Sequence, residues 1–235
     1  MPEKIWCLKN CDIFAKLQPD QLSQLEKRSR MREFPARSPV YLPSAAADSV
    51  FLLAKGMVKV CNLTTDGKKS ILAFIEPGEM FGEMAIFDSE RRDEFVESIE
   101  PATVVMIPAD EIQRLMAEQN GVAIAITKMV GMRRRRVERR LKNLLFLSNR
   151  DRLIHLLLDL AEQFGVCEVD GIRLRIKLAH QEIANLMGST RETVTILLGQ
   201  LKAEGFIDVG RRKIVLTNSK RLSQSVNRVL SCGAQ

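Results

Sequence analysis

The stretch His180-Gln181-Glu182-Ile183-Ala184-Asn185-Leu186-Met187-Gly188-Ser189-Thr190-Arg191-Glu192-Thr193-Val194 decides how the rest of the chain reads. His180–Met187 places Ile183, Ala184 and Met187 on one helical face. Gly188-Ser189-Thr190 breaks that helix, and Thr190 is positioned to cap a second one running from Arg191 to about Ala203. Two helices joined by three residues, with a glycine first in the turn, make a helix-turn-helix. Behind them Phe206–Val209, Gly210-Arg211-Arg212-Lys213 and Ile214–Leu216 form a hairpin with a basic tip, the wing of a winged helix. A recognition helix enters the major groove by its N-terminal end, which here presents Thr190, Arg191, Glu192 and Thr195. Arg reads guanine bidentately and Glu accepts from cytosine N4. His180, Gln181 and Ser189 on the first helix and turn, with Arg211, Arg212 and Lys213 on the wing, complete the candidate DNA contacts. An αα-hairpin with surface Arg and Glu is the plain structural alternative.

Upstream, Ser148-Asn149 reads as a hinge and cap opening the helix Arg150–Phe164, which Gly165 closes. Val166–Val169 and Ile172–Ile176, joined at Asp170-Gly171, read as a hairpin. From Asn120-Gly121 a run without proline repeats Val122, Ile126, Met129, Val137, Leu141 and Leu144 every three or four residues, roughly a coiled-coil stripe. A helix with one apolar seam needs a partner, so it is expected to dimerise with its own copy; packing along its own sandwich is the alternative. Arg133 interrupts the seam, and a buried arginine needs an anion, either Glu138 of a second copy or a small dicarboxylate. Before this helix, Asp110 is expected to cap another over Glu111–Glu118. From about Val40 to Ile107 the chain reads as short strands, Ser49–Val60, Ser70–Ile75 and Thr103–Ile107 among them. They are punctuated by Lys55-Gly56, Thr65-Asp66-Gly67, Glu76-Pro77-Gly78 and Phe81-Gly82. That pattern predicts an antiparallel sandwich or barrel.

The 235 residues carry 46% hydrophobic and 28% charged side chains, a mixture that excludes a disordered chain. No apolar run reaches the roughly 20 residues a spanning helix needs, and no secretory signal is visible at Met1–Trp6, so a cytoplasmic protein with no membrane partner is expected. The formal charge of +7 is unevenly spread: residues 1–117 are net −3, 118–147 net +6 and 148–235 net +4. A basic rear half raises the expectation of a polyanionic partner. The five cysteines (Cys7, Cys11, Cys61, Cys167, Cys232) are scattered and odd in number, which argues against a disulfide framework. Cys7 and Cys11 would share a face if their segment were helical, allowing a metal or redox role; burial as small hydrophobes is the plainer reading.

Gln181-Glu182-Ile183-Ala184 with Gly188-Ser189-Thr190-Arg191-Glu192-Thr193-Val194 resembles the helix-turn-helix of the cyclic-AMP receptor protein/fumarate-nitrate regulator (CRP/FNR) family, and the resemblance covers nearly the whole chain. Gly67, Pro77-Gly78-Glu79 and Phe81-Gly82-Glu83 resemble the family's cyclic-nucleotide-binding-type jelly roll, and Asn143–Ser148 resembles the end of its dimer helix. The resemblance implies an α+β chain with an N-terminal antiparallel β jelly roll, a long dimerisation helix and a C-terminal winged helix-turn-helix. The expected boundaries are 1–117, 118–147 and 148–235. It further implies a homodimeric transcription regulator binding near-palindromic double-stranded DNA, with RNA polymerase as a partner. Carried over, Gln181 and Thr190 contact phosphate while Arg191 and Glu192 read bases. Where the family caps its first helix with Thr this chain has Ala179, and where the cyclic-AMP branch has a further DNA-contacting Arg it has Ile196.

The same resemblance places an effector site at Gly82, Glu83, Met84, Arg92, Arg133, Val137 and Glu138. Glu83 and Arg92 match the ribose and phosphate ligands of a cyclic-AMP site. Asp93 replaces the phosphate-binding Ser, however, and Val137-Glu138 replace the adenine-contacting Thr-Ser pair. A carboxylate about 4 Å from a phosphate costs on the order of 1 kcal/mol or more, so cyclic AMP is a poor fit. The ligand cysteines of the iron–sulfur branch are missing. His155 and His180 both lie in the rear half, which gives no support to a haem. Arg133, Glu138 and Arg92, with Gly188-Ser189-Thr190-Arg191, resemble the nitrogen-control branch, which binds 2-oxoglutarate. The expectation is therefore no resident cofactor, with an unidentified small-molecule effector or none. No nucleophile–base pair, metal-spaced set or phosphate-cradling loop suggests an enzyme; a signal-binding module with a vestigial DNA domain is the competing class.

Overall fold

The computed structural model describes residues 4–64, 67, 69–87, 91–210 and 213–228. Thr65, Asp66, Arg211, Arg212 and Cys232, singled out in the sequence, lie outside the described residues. The chain forms two compact units, Met1–Arg135 and Arg136–Gln235.

In the first unit two short helices, α1 (Lys4–Lys9) and α2 (Pro19–Arg28), precede the strands β1 (Arg30–Phe34), β2 (Pro39–Tyr41), β3 (Ser49–Lys55), β4 (Val58–Leu63), β5 (Lys69–Ile75) and β6 (Met80–Phe81). A 3₁₀ turn, Glu83–Ile86, leads to β7 (Phe95–Ser98), β8 (Ala102–Pro108) and α3 (Ala109–Glu118). The strands make two antiparallel sheets, ordered β1-β8-β3-β6 and β2-β7-β4-β5. Phe51, Leu53, Phe81, Val104 and Ala102 of the first sheet meet Tyr41, Val58, Val60, Ile75 and Val96 of the second in one core. The alternate residues Val50, Leu52, Met80, Val105 and Ile107 pack with Leu8, Leu22, Leu25, Ile112 and Leu115 of the helices. The first sheet is thus covered on both faces, which is why Ser49–Leu53 and Thr103–Ile107 read as continuous apolar runs instead of alternating.

The N-terminal helix of this unit ends at Lys9, so Cys11 leaves the face expected to hold it with Cys7. Both thiols are buried in the helix-side core, and burial pushes the Cys11 thiol up to about 11. That suppresses the thiolate a metal or redox site requires. The helix expected at Glu111–Glu118 starts at Ala109. Pro108 closes β8 with φ −56° and takes the cap position. Asp110 lies inside the first turn, its Oδ1 accepting the Glu111 N–H at 2.8 Å.

The long helix α4 spans Asn120–Phe146. Its two expected roles divide it: Val122, Ile126 and Met129 pack into the helix-side core of the first unit. In the second unit Val137, Leu141 and Leu144 stand 56%, 53% and 49% exposed. The second unit continues with α5 (Asn149–Phe164), β9 (Gly165–Glu168), β10 (Gly171–Leu174), α6 (His180–Met187), α7 (Arg191–Ala203), β11 (Asp208–Gly210), β12 (Lys213–Leu216) and α8 (Ser219–Gln224). Its sheet has the order β11-β12-β10-β9.

Candidate nucleic-acid interface and sensor site

The boundaries of α6 and α7 follow from local chemistry. Helix α6 buries Ile183, Ala184, Leu186 and Met187, while α7 buries Val194, Leu198 and Leu201. Gly188 ends α6 in the left-handed region at φ 63°, a conformation that costs a residue with a Cβ about 1–2 kcal/mol. The Thr190 hydroxyl accepts the Thr193 N–H at 3.2 Å and caps α7. The cap of α6 is half-made: Ala179 has no acceptor to offer, but Glu182 Oε2 accepts the Ala179 N–H at 3.0 Å. Beyond α7, β11 and β12 pair antiparallel, with Gly210 opposite Lys213.

One face of α7 stays open. Arg191, Glu192, Thr195, Ile196, Gly199 and Gln200 are all exposed, at the spacing that puts them on one stripe. Lys213 and Gln181 are exposed as well, and His180 and Ser189 are half-buried. His180 Nδ1 lies 2.8 Å from Thr195 Oγ1, and that hydroxyl also donates to the Arg191 carbonyl at 2.9 Å. Thr195 therefore ties α6 to α7. Gln181 Nε2 donates to Asn185 Oδ1 at 3.0 Å. Sequence reasoning stopped short of Gln200, which is reached by counting helical turns on from Glu192 and Ile196.

In the first unit Gly82, Glu83, Arg92 and Arg133 come together. Gly82 has φ 67°, and a Cβ there would lie 2.8 Å from Arg92 Nη1. The buried Arg92 guanidinium sits 4.2 Å from the Tyr41 ring centroid and 5.1 Å from that of Phe51, and donates to the Ser49 carbonyl. Arg133 pairs with Glu83 and donates to the Met80 carbonyl. The counter-ion expected from Glu138 of a second copy, or from a dicarboxylate, is thus supplied by Glu83 of the same chain. Two residues missed in the sequence complete the cluster: the Tyr41 hydroxyl donates to Glu94 Oε1 at 2.6 Å. Burial pushes the Glu94 carboxyl up, and neighbouring Glu83 adds to that. The Tyr41 hydrogen bond, Arg133 and Arg92 oppose it without reversing it. Met84, in the 3₁₀ turn, is exposed; Val137 and Glu138 belong to the second unit and are exposed there. Among the described residues no group of three or more His, Cys, Asp or Glu is placed to hold a metal, and no helix is long and apolar enough to cross a membrane.

Two family models match these parts: a cyclic nucleotide-binding domain at residues 31–119 and a Crp-like helix-turn-helix domain at residues 151–231. The global nitrogen regulator of Synechocystis is 30% identical over 79% of this chain and 83% of its own length. The chain belongs to the CRP/FNR family of transcriptional regulators. A CRP-like cAMP-activated global transcriptional regulator of Mycobacterium tuberculosis is 28% identical over 92% of this chain and 97% of that protein. The solved structure of a CRP-family transcriptional regulator from Thermus thermophilus has a TM-score of 0.71 at 26% identity, covering 86% of this chain and all of that one. This CRP/FNR regulator accordingly carries a helix-turn-helix DNA-binding domain behind a β-sandwich of the cyclic nucleotide-binding type.

Proposed function

We propose that this CRP/FNR regulator acts as a homodimer on near-palindromic DNA, with α7 of each copy in successive major grooves. The observation that carries the reading is the open stripe of α7, with Arg191 and Glu192 exposed at the helix N-terminus beside the capping hydroxyl of Thr190. Val137, Leu141 and Leu144 support the dimer, since exposed apolar side chains recurring at this spacing fit a coiled-coil seam. Gln181, Ser189 and Thr190 are assigned to phosphate, Arg191 and Glu192 to base edges, and Lys213 with the wing tip to the flanking backbone. His180 positions Thr195. RNA polymerase is the partner through which the bound dimer acts, in the cytoplasm, and the chain has no catalytic role.

For the signal we propose a small molecule that competes for Arg133 or Glu83, and not cyclic AMP. Glu83 is already committed to Arg133, and the exposed Asp93 adjoins Arg92, where it would repel a phosphate. No resident cofactor is part of this reading. Selection from a random duplex pool tests it: a two-fold-symmetric site with about one helical turn between half-sites is expected. Binding without enrichment would leave only a signal-binding module with a vestigial DNA domain.

A further inference from the structure

Along the open stripe of α7, Arg191, Glu192 and Gln200 carry hydrogen-bonding groups, and Gly199 carries no side chain at all. Ile196 is the exception. It is 62% exposed, although apolar side chains are favoured by removal from water. It belongs to neither of the two hydrophobic faces by which α6 and α7 pack, which use Ile183, Ala184, Val194, Leu198 and Leu201. The preceding residue, Thr195, has its hydroxyl engaged by His180 and by the Arg191 carbonyl. One turn on, a Cβ at Gly199 would meet nothing within 4 Å, so the surface beyond Ile196 is open to close approach.

In a major groove one feature rewards an apolar tip: the C5-methyl of thymine, the one apolar group among otherwise polar base edges. We propose that Ile196 is a specificity-determining residue that selects a thymine by packing on its methyl group. This rests on the assignment of α7 as the recognition helix. Ile196 lies five residues beyond Arg191, about 7.5 Å along the helix axis. The thymine therefore belongs to a base pair near, but not the same as, the pair read by Arg191. A branched aliphatic tip also excludes guanine and adenine readout by this residue, because it has neither donor nor acceptor.

The test uses the full-length protein and the duplex selected from a random pool. Each thymine within three base pairs of the Arg191-dependent position is replaced in turn by deoxyuridine, which keeps every hydrogen-bonding group and loses only the methyl. At one thymine per half-site, affinity should fall about fourfold, the worth of one buried methyl. Ile196→Ala should bind the thymine and deoxyuridine duplexes equally, and Ile196→Val should retain part of the difference. The side chain is exposed, so both variants should keep the parent melting temperature. Equal binding of thymine and deoxyuridine by the parent protein overturns the proposal. So does a deoxyuridine penalty that Ile196→Ala leaves intact, because the methyl would then act through DNA shape or another side chain. Failure to enrich any site would take down the recognition-helix assignment itself, an outcome separable from a selected site indifferent to the methyl.

Discussion

At the scale of single residues, Arg191 and Glu94 do opposite jobs. Arg191 is exposed at the start of α7, so replacing it should disturb recognition and not folding. Arg191→Ala is expected to cost roughly 1–3 kcal/mol at one base pair per half-site and to relax preference there; competition binding against single-base variants reads this directly. An equal loss on all sequences would reassign Arg191 to phosphate. Glu94 is half-buried against Tyr41, Glu83, Arg92 and Arg133, with its carboxyl held above its ordinary value of 4.5. Between that value and the raised one the folded chain binds more protons than the unfolded chain, so stability falls as pH rises through the window. Glu94→Gln keeps an acceptor for the Tyr41 hydroxyl and removes the titration. The variant should melt higher than the parent at pH 7–8 and lose that advantage toward pH 4.5. A melting curve with the parent's full pH dependence would mean that Glu94 is not the group responsible.

At the scale of elements, helix ends offer the cleanest handle. Two neighbouring helices of one motif are capped differently: Thr190 caps α7 with its hydroxyl, whereas Ala179 offers α6 no side-chain acceptor and leaves only the Glu182 bond to its own N–H. Ala179 has the extended backbone of a cap, φ −77° and ψ 154°, so a hydroxyl can be introduced there without strain. Ala179→Ser should stabilise the DNA-binding unit by about 0.5–1 kcal/mol, seen as a higher denaturant midpoint with an unchanged slope. No gain would show that the Glu182 carboxylate already supplies all that the cap is worth.

At the scale of the whole molecule, the long helix has two kinds of apolar residue. Val122 and Ile126 are fully engaged within their own unit, and mutations there should unfold the sandwich. Val137, Leu141 and Leu144 contribute little to the single chain because they are exposed. Leu141→Glu is therefore expected to leave the melting of the sandwich within about 0.5 kcal/mol of the parent while converting dimer to monomer in sedimentation velocity. Because one operator then holds only half the contacts, site-specific DNA binding should collapse with it. A parent protein that sediments as a monomer at micromolar concentration would remove the basis for paired half-sites.

The helix-turn-helix, its glycine turn, the cap at Thr190, the strand-rich front half and the long helix are all legible in the order of residues. Each is written in contiguous residues: periodicity, a breaker and a capping side chain act over one or two turns of chain. The polar edges of the sandwich were less legible, since Arg30–Phe34 and Pro39–Tyr41 are short and only partly apolar. The packed fold alone sets the pairing of Arg133 with Glu83, fifty positions away, and of Tyr41 with Glu94. It also decided which stretch of the long helix is buried and which is open. These outcomes depend on which surfaces the sheet register brings face to face, and a one-dimensional pattern holds no record of that until the strands have paired.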